Sequence, residues 1–188
     1  MAINTIYIDA AVMKRASEIY GSQTPKNLRL DNFFQPLVFN LLQKKLKSAR
    51  YSIKFHPYKY KYSIASIKEI DSFVNGFYFK RIIEQVLSIK NPKIKYEIRK
   101  FGPGNYTLLH DAEKEKKGID FVIDFSDKGK SYGGHTIYLN EAEELLQLNP
   151  CPNTLSFIER AKKVMKYTKY VDHRQKAPFV FVAGTIQD

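Results

Sequence analysis

A single cysteine, Cys151, in 188 residues excludes an intramolecular disulfide and fits a reducing, cytoplasmic setting. Long apolar runs are also missing. None approaches the roughly 20 residues of a membrane-spanning helix, and residues 1–20 show neither the basic start nor the apolar centre of a secretory leader. No membrane association is expected. Acidic side chains are scarce: 19 Asp and Glu stand against 31 Lys and Arg, a formal net charge of +12. That imbalance favours polyanionic partners, namely RNA, DNA or a ribosome surface. No repeat, low-complexity segment or linker interrupts the chain. A single domain over 1–188 is therefore expected, of a length that suits one well-formed core.

What the sequence does contain is organised around residues 97–112, EIRKFGPGNYTLLHDA. A strand ending at Phe101 meets a tight Gly102-Pro103-Gly104 corner, where Pro103 presets φ and Gly104 can take a positive one. A second strand then delivers His110 and Asp111 side by side. A histidine and a carboxylate at a strand end, joined by a later histidine, can form an iron(II) site with open coordination positions. His173 is the candidate for that later ligand.

The chain before this stretch reads as helical support plus a strand pair. A short helix is expected from Ala10 to Tyr20, closed by Gly21. Pro36 suits a first helical turn, and Leu37, Val38, Leu41, Leu42 and Leu46 follow at helical spacing. Tyr58, Tyr60 and Tyr62 then share a strand face, with Lys59 and Lys61 opposite. This pattern fits either a half-buried strand or a surface that stacks bases and neutralises phosphates. Ser66 and Glu69 have capping-box spacing. A further helix carries Phe77, Ile82, Ile83, Val86 and Leu87.

From residue 93 the period changes to two. Apolar runs at 119–125, 135–139, 145–148, 154–158, 167–171 and 179–186 are separated by turn signals. Asp120 and Asp124 fall on one strand face, as pocket carboxylates or as partners of nearby lysines. His135 reads as a strand histidine. Cys151 sits between prolines with no histidine near it in sequence, which speaks against a catalytic thiol.

In order and wording, residues 97–186 resemble the 2-oxoglutarate- and iron-dependent dioxygenases of the prolyl-hydroxylase type. The matching pieces are Gly102-Pro103-Gly104, His110, the 121–126 strand, Gly133-Gly134, Pro150-Cys151-Pro152-Asn153 and the strand after it. The resemblance implies an α+β protein: a double-stranded β-helix (jelly-roll, cupin-like) barrel over 93–188, with the N-terminal helices packed against it. It also implies Fe(II) and 2-oxoglutarate as cofactors. His110, Asp111 and His173 become the metal and catalytic residues, with Glu113 as the alternative carboxylate. Tyr106, Arg174 and Lys176 would bind the cosubstrate.

Departures from the family pattern keep two functions open. The family spaces its first ligands His-x-Asp, whereas Asp111 directly follows His110 and so faces the other side of a regular strand. The second family histidine falls where this chain has Lys166 or Tyr167, and the last strand carries no Arg or Lys. One reading is an active protein hydroxylase acting on a ribosome-associated substrate. The other is a catalytically degenerate barrel that binds nucleic acid or protein.

Overall fold

The computed structural model describes residues 3–108, 117–141, 143–161 and 163–187. Helix α1 (Ala10–Ser22) begins at Asp9, whose carboxylate accepts from the N–H groups of Ala11 and Val12 at 2.8 and 3.0 Å. It runs through Gly21 rather than ending there, because Met13, Ala16 and Tyr20 are buried and hold it in place. Strand β1 (Asn27–Asp31) follows, then α2 (Pro36–Ser48), with Pro36 at its first turn. The buried stripe of α2 is Phe39, Leu42 and Leu46; Leu37 and Leu41, expected inside, are 73% and 56% exposed. Phe39 stacks on Phe125 at 5.6 Å and so fixes which way the helix rolls.

A hairpin of β2 (Ser52–His56) and β3 (Tyr60–Ala65) leads to α3 (Lys68–Val74) and α4 (Phe77–Leu87). The expected capping box does not form. Ile67 is the N-cap, without a side-chain cap bond, and Glu69 pairs with Lys45 instead. In α4 the buried residues are Phe79, Ile82, Ile83 and Val86, a run at helical spacing, while Phe77 is exposed.

The remaining strands are β4 (Lys93–Phe101), β5 (Tyr106–Thr107), β6 (Gly118–Asp124), β7 (Thr136–Asn140), β8 (Glu143–Leu148), β9 (Thr154–Arg160), β10 (Val164–Thr168) and β11 (Phe179–Gln187). The major sheet has the order β1-β9-β6-β11-β4-β3-β2, with β5 added to β3. The minor sheet has the order β10-β7-β8. All pairings within them are antiparallel. Two facing antiparallel sheets with helices against the larger one are what a double-stranded β-helix requires.

Alternation along the strands decides what each face meets. Ile98, Phe121, Ile123, Leu155, Phe157 and Val182 join the helical residues in one core. Glu97, Arg99, Asp120, Val122, Phe181 and Ala183 point the other way, toward the minor sheet. On the helical side the rings of Phe79 and Phe121 meet edge to face at 5.1 Å, an arrangement worth about 0.5–1.5 kcal/mol beyond burial.

The Pro-x-Pro-Asn turn ties the N-terminal layer to the barrel. Asn153, at φ 60°, donates from its side chain to the Phe34 carbonyl at 2.9 Å and accepts from the Phe34 N–H at 2.8 Å. Its own N–H donates to the Asp124 carbonyl, and its carbonyl accepts from Phe33. Asn153→Ala strands both buried polar groups of Phe34 and places a Cβ-bearing residue without a compensating bond at positive φ. It is expected to cost about 2–4 kcal/mol, read as a lower urea midpoint with an unchanged slope.

Candidate functional site

Between the two sheets lies an open cavity of about 760 Å³. Its walls are the inward positions of β3, β4, β6, β9 and β11 on one side and of β7 and β10 on the other. Thr107 closes one flank, since its hydroxyl accepts from the Thr168 N–H at 2.6 Å and so links β5 to β10. Among the described lining residues, six are cationic (Lys54, Lys59, Lys95, Arg99, Arg160, Lys166) and two are carboxylates (Glu97, Asp120).

Both carboxylates sit at the centre of ion clusters. Asp120 is 1% exposed and Arg160 4%. The Lys166 ammonium donates to Asp120 Oδ2 at 2.8 Å, the Arg160 guanidinium reaches both oxygens at 3.3 Å, and the Tyr138 hydroxyl donates at 3.2 Å. Burial alone raises the Asp120 carboxyl, but the charges of Lys166 and then Arg160 outweigh it and hold it below its ordinary value. Glu97 accepts from Lys54 at 2.6 Å, from Arg99 at 2.8 Å and from Tyr62 at 3.2 Å. Burial again opposes ionisation, and the Lys54 bond with the Arg99 charge reverses the sign, so Glu97 also stays low. Each carboxylate therefore remains ionised with two cations around it, and the cavity as a whole attracts anions.

The residues expected to form the iron site are not brought together among the described residues. His110, Asp111 and Glu113 lie outside them. His173 is exposed, beyond β10 rather than on it, and its Nε2 lies 3.2 Å from the Tyr170 hydroxyl. The position facing the cavity on β10 carries Lys166, an ammonium already bonded to Asp120. Among the described residues no three His, Cys, Asp or Glu side chains gather as a metal would need. The described part of the cavity thus offers cations, and the expected ligands His110, Asp111 and Glu113 are not among the residues that line it there.

The three expected cosubstrate residues are likewise placed elsewhere. Tyr106 points away from the cavity, donates to the Pro57 carbonyl at 3.3 Å and stacks on Tyr170; Thr107, one residue on, faces inward. Arg174 pairs with Asp172 at 2.9 Å on the surface, and Lys176 is exposed. Asp120 and Asp124 divide their roles. Asp124 accepts from the N–H groups of Ser126 and Cys151 at 2.7 and 2.6 Å, and burial pushes its carboxyl up to about 6.

Sequence reading gives no role to Lys54, Glu97, Arg99 and Arg160. The available signal was the charge at Lys95, Glu97 and Arg99 between Ile94, Tyr96 and Ile98. A charged strand face reads as solvated until a second sheet is known to stand over it.

Comparison with known proteins agrees with this architecture. A 2OG-Fe(II) oxygenase-family oxidoreductase from Burkholderia pseudomallei superposes with a TM-score of 0.69 at 9% identity, covering 95% of this chain and 91% of its own. A prolyl hydroxylase from Trichoplax adhaerens, solved with a hypoxia inducible factor peptide, gives 0.69 at 14% identity, covering 94% and 90%. These likenesses establish the fold, the double-stranded β-helix. Mouse prolyl 3-hydroxylase OGFOD1 is 34% identical over 87 residues, which are 44% of this chain and 16% of that protein. The chain thus matches only about a sixth of that curated relative's length. The family model described as oxoglutarate and iron-dependent oxygenase degradation C-term matches residues 54–187. With that match running from within β2 to the end of β11, well over half of the chain, the chain belongs to this oxygenase-related family.

Proposed function

We propose that this 2-oxoglutarate oxygenase-like barrel takes a small dicarboxylate of the 2-oxoglutarate class in its cavity, in the service of protein hydroxylation. The carrying observation is the excess of six cations over two carboxylates on the cavity wall. A dicarboxylate entering there meets the outer N–H groups of Arg99 and Lys54, which already converge on Glu97. A hydrogen bond to a charged group contributes about 1.5–3 kcal/mol. Losing one should weaken binding tenfold or more. The mouse relative and the Trichoplax adhaerens structure are prolyl hydroxylases, so a prolyl side chain is the substrate this reading favours, with Fe(II) as the metal of the reaction.

The test is calorimetric titration of 2-oxoglutarate into the protein, anaerobically, with and without iron(II). Binding in both conditions, weakened about tenfold in Arg99→Met and Lys54→Met, supports the dicarboxylate site. Tightening of that binding by iron supports the hydroxylase. No heat in either condition removes both.

Lys166 carries a second reading. An ammonium at the inward β10 position, bonded to Asp120, favours a barrel that holds an anionic ligand without iron. In the same titration that reading predicts 2-oxoglutarate binding that iron leaves unchanged.

A further inference from the structure

Outside the cavity, a line of aromatic rings crosses the barrel surface, and cations stand between them. Tyr58, at the tip of the β2–β3 hairpin, is 81% exposed, and Tyr170 is 47% exposed. Tyr106 connects the two: its hydroxyl donates to the Pro57 carbonyl beside Tyr58, and its ring lies 6.5 Å from that of Tyr170 at 26°. His173 continues the line, 6.2 Å from the Tyr170 ring. Tyr132 ends it, with the Arg174 guanidinium 4.8 Å and the Lys130 ammonium 5.3 Å from its ring centre. Lys61, paired with Tyr106 across β3 and β5, and Lys169, next to Tyr170 in the chain, are exposed, as is Lys176, two residues after Arg174.

The backbone under this line is fixed. Gly104 donates to the Val171 carbonyl and Val171 to the Asn105 carbonyl, each at 2.9 Å. On the other side Asp172 donates to the Tyr132 carbonyl at 2.9 Å, and Gly134 to the Lys169 carbonyl at 3.1 Å. The 169–172 segment is thus clamped between the glycine corner and the 132–135 turn. Rings held on such a ladder lose little freedom when a flat ligand stacks on them.

We infer that this surface binds single-stranded nucleic acid, with bases stacked on Tyr58, Tyr106 and Tyr170 and phosphates held by Lys61, Lys130, Lys169, Arg174 and Lys176. Every base has a face that stacks on an aromatic ring, so the mode is tolerant of sequence. A duplex keeps those faces inside its own stack and offers only phosphates. The net charge of +12 supplies the long-range attraction. The surface is separate from the cavity, and this inference does not rest on the ligand proposed there.

Fluorescence anisotropy with labelled oligouridine, oligodeoxyuridine and a duplex of equal length tests it at low salt. Both single strands should bind more tightly than the duplex. A preference between them reports contacts to the 2′-hydroxyl. Tyr170→Ala and Tyr58→Ala should each weaken binding about tenfold without changing its salt dependence, while Tyr170→Phe keeps it. Lys130→Gln with Lys176→Gln should instead flatten the salt slope by roughly one per cation removed. Absence of binding, equal affinity for the duplex, or alanine variants that bind like the parent would each overturn the proposal.

Discussion

Asp120→Asn should be among the most damaging single changes in the barrel, costing about 3–5 kcal/mol of stability. The substitution keeps the shape and removes the charge, so Arg160, 4% exposed, and the largely covered Lys166 lose their shared counter-ion. The carboxylate charge that both cations contact is then gone. The comparison variant is Lys166→Met, which leaves the Arg160–Asp120 pair intact and should cost much less. Urea unfolding at neutral pH reads the difference. The pH dependence follows from the sign of the shift. The folded-state pKa of Asp120 lies below its unfolded value, near 3.9 for a free aspartate. Its stabilisation is therefore full above that value and drains away as pH falls through the folded pKa. The parent protein should show this acid-side loss and Asp120→Asn should lack that component. Equal acid-side slopes in the two would refute the assigned role.

Gly133→Ala is the second large effect expected. Gly133 has φ +92°, and a Cβ there would land on the carbonyl oxygen of Tyr170. A positive φ costs a non-glycine residue about 1–2 kcal/mol, and forcing an extra methyl into packed atoms adds about 1–3 kcal/mol. Because the obstacle is backbone, a rotamer change cannot relieve it. The 169–172 segment has to move, and the clamp between Gly104 and Tyr132 opens with it. The expected outcome is a thermal midpoint lowered by several degrees together with loss of nucleic-acid binding equal to that of Tyr170→Ala. A variant as stable as the parent would show that the two turns are not held together as described.

The barrel was legible in the sequence because its signals are local. Period-two alternation from residue 93, the glycine corner and the Pro-x-Pro-Asn turn each specify backbone geometry through the residues that adopt it. Helix ends were read less well. Ser66 has the spacing of a cap, yet Glu69 is drawn to Lys45 on α2, a partner 24 residues away. The roll of α2 was misread for a similar reason, since the position of Phe125 decides whether Phe39 or Leu41 turns inward. At the site the difficulty is greater. His173 and Arg174 lie near the expected position in sequence but beyond the end of β10, where the chain leaves the minor sheet to bond with the glycine corner. The 167–171 run was expected as one strand, and only its start is strand. Lys166 and Arg160 acquire their roles from Asp120, which is 46 and 40 residues from them. No pattern in a short window contains that information.

The place of β11 in the major sheet also bears on how the protein is made. Phe179–Gln187 pairs with β4 along one edge and with β6 along the other, so these two earlier strands meet only through it. During synthesis, β4 with its hairpin and β6 with β9 each emerge with an open edge and wait for the same late segment. Long-range pairings of this kind slow folding, and unpaired edges in the interval invite association with other chains. The passage of a nascent chain from two exposed edges to none therefore waits on β11.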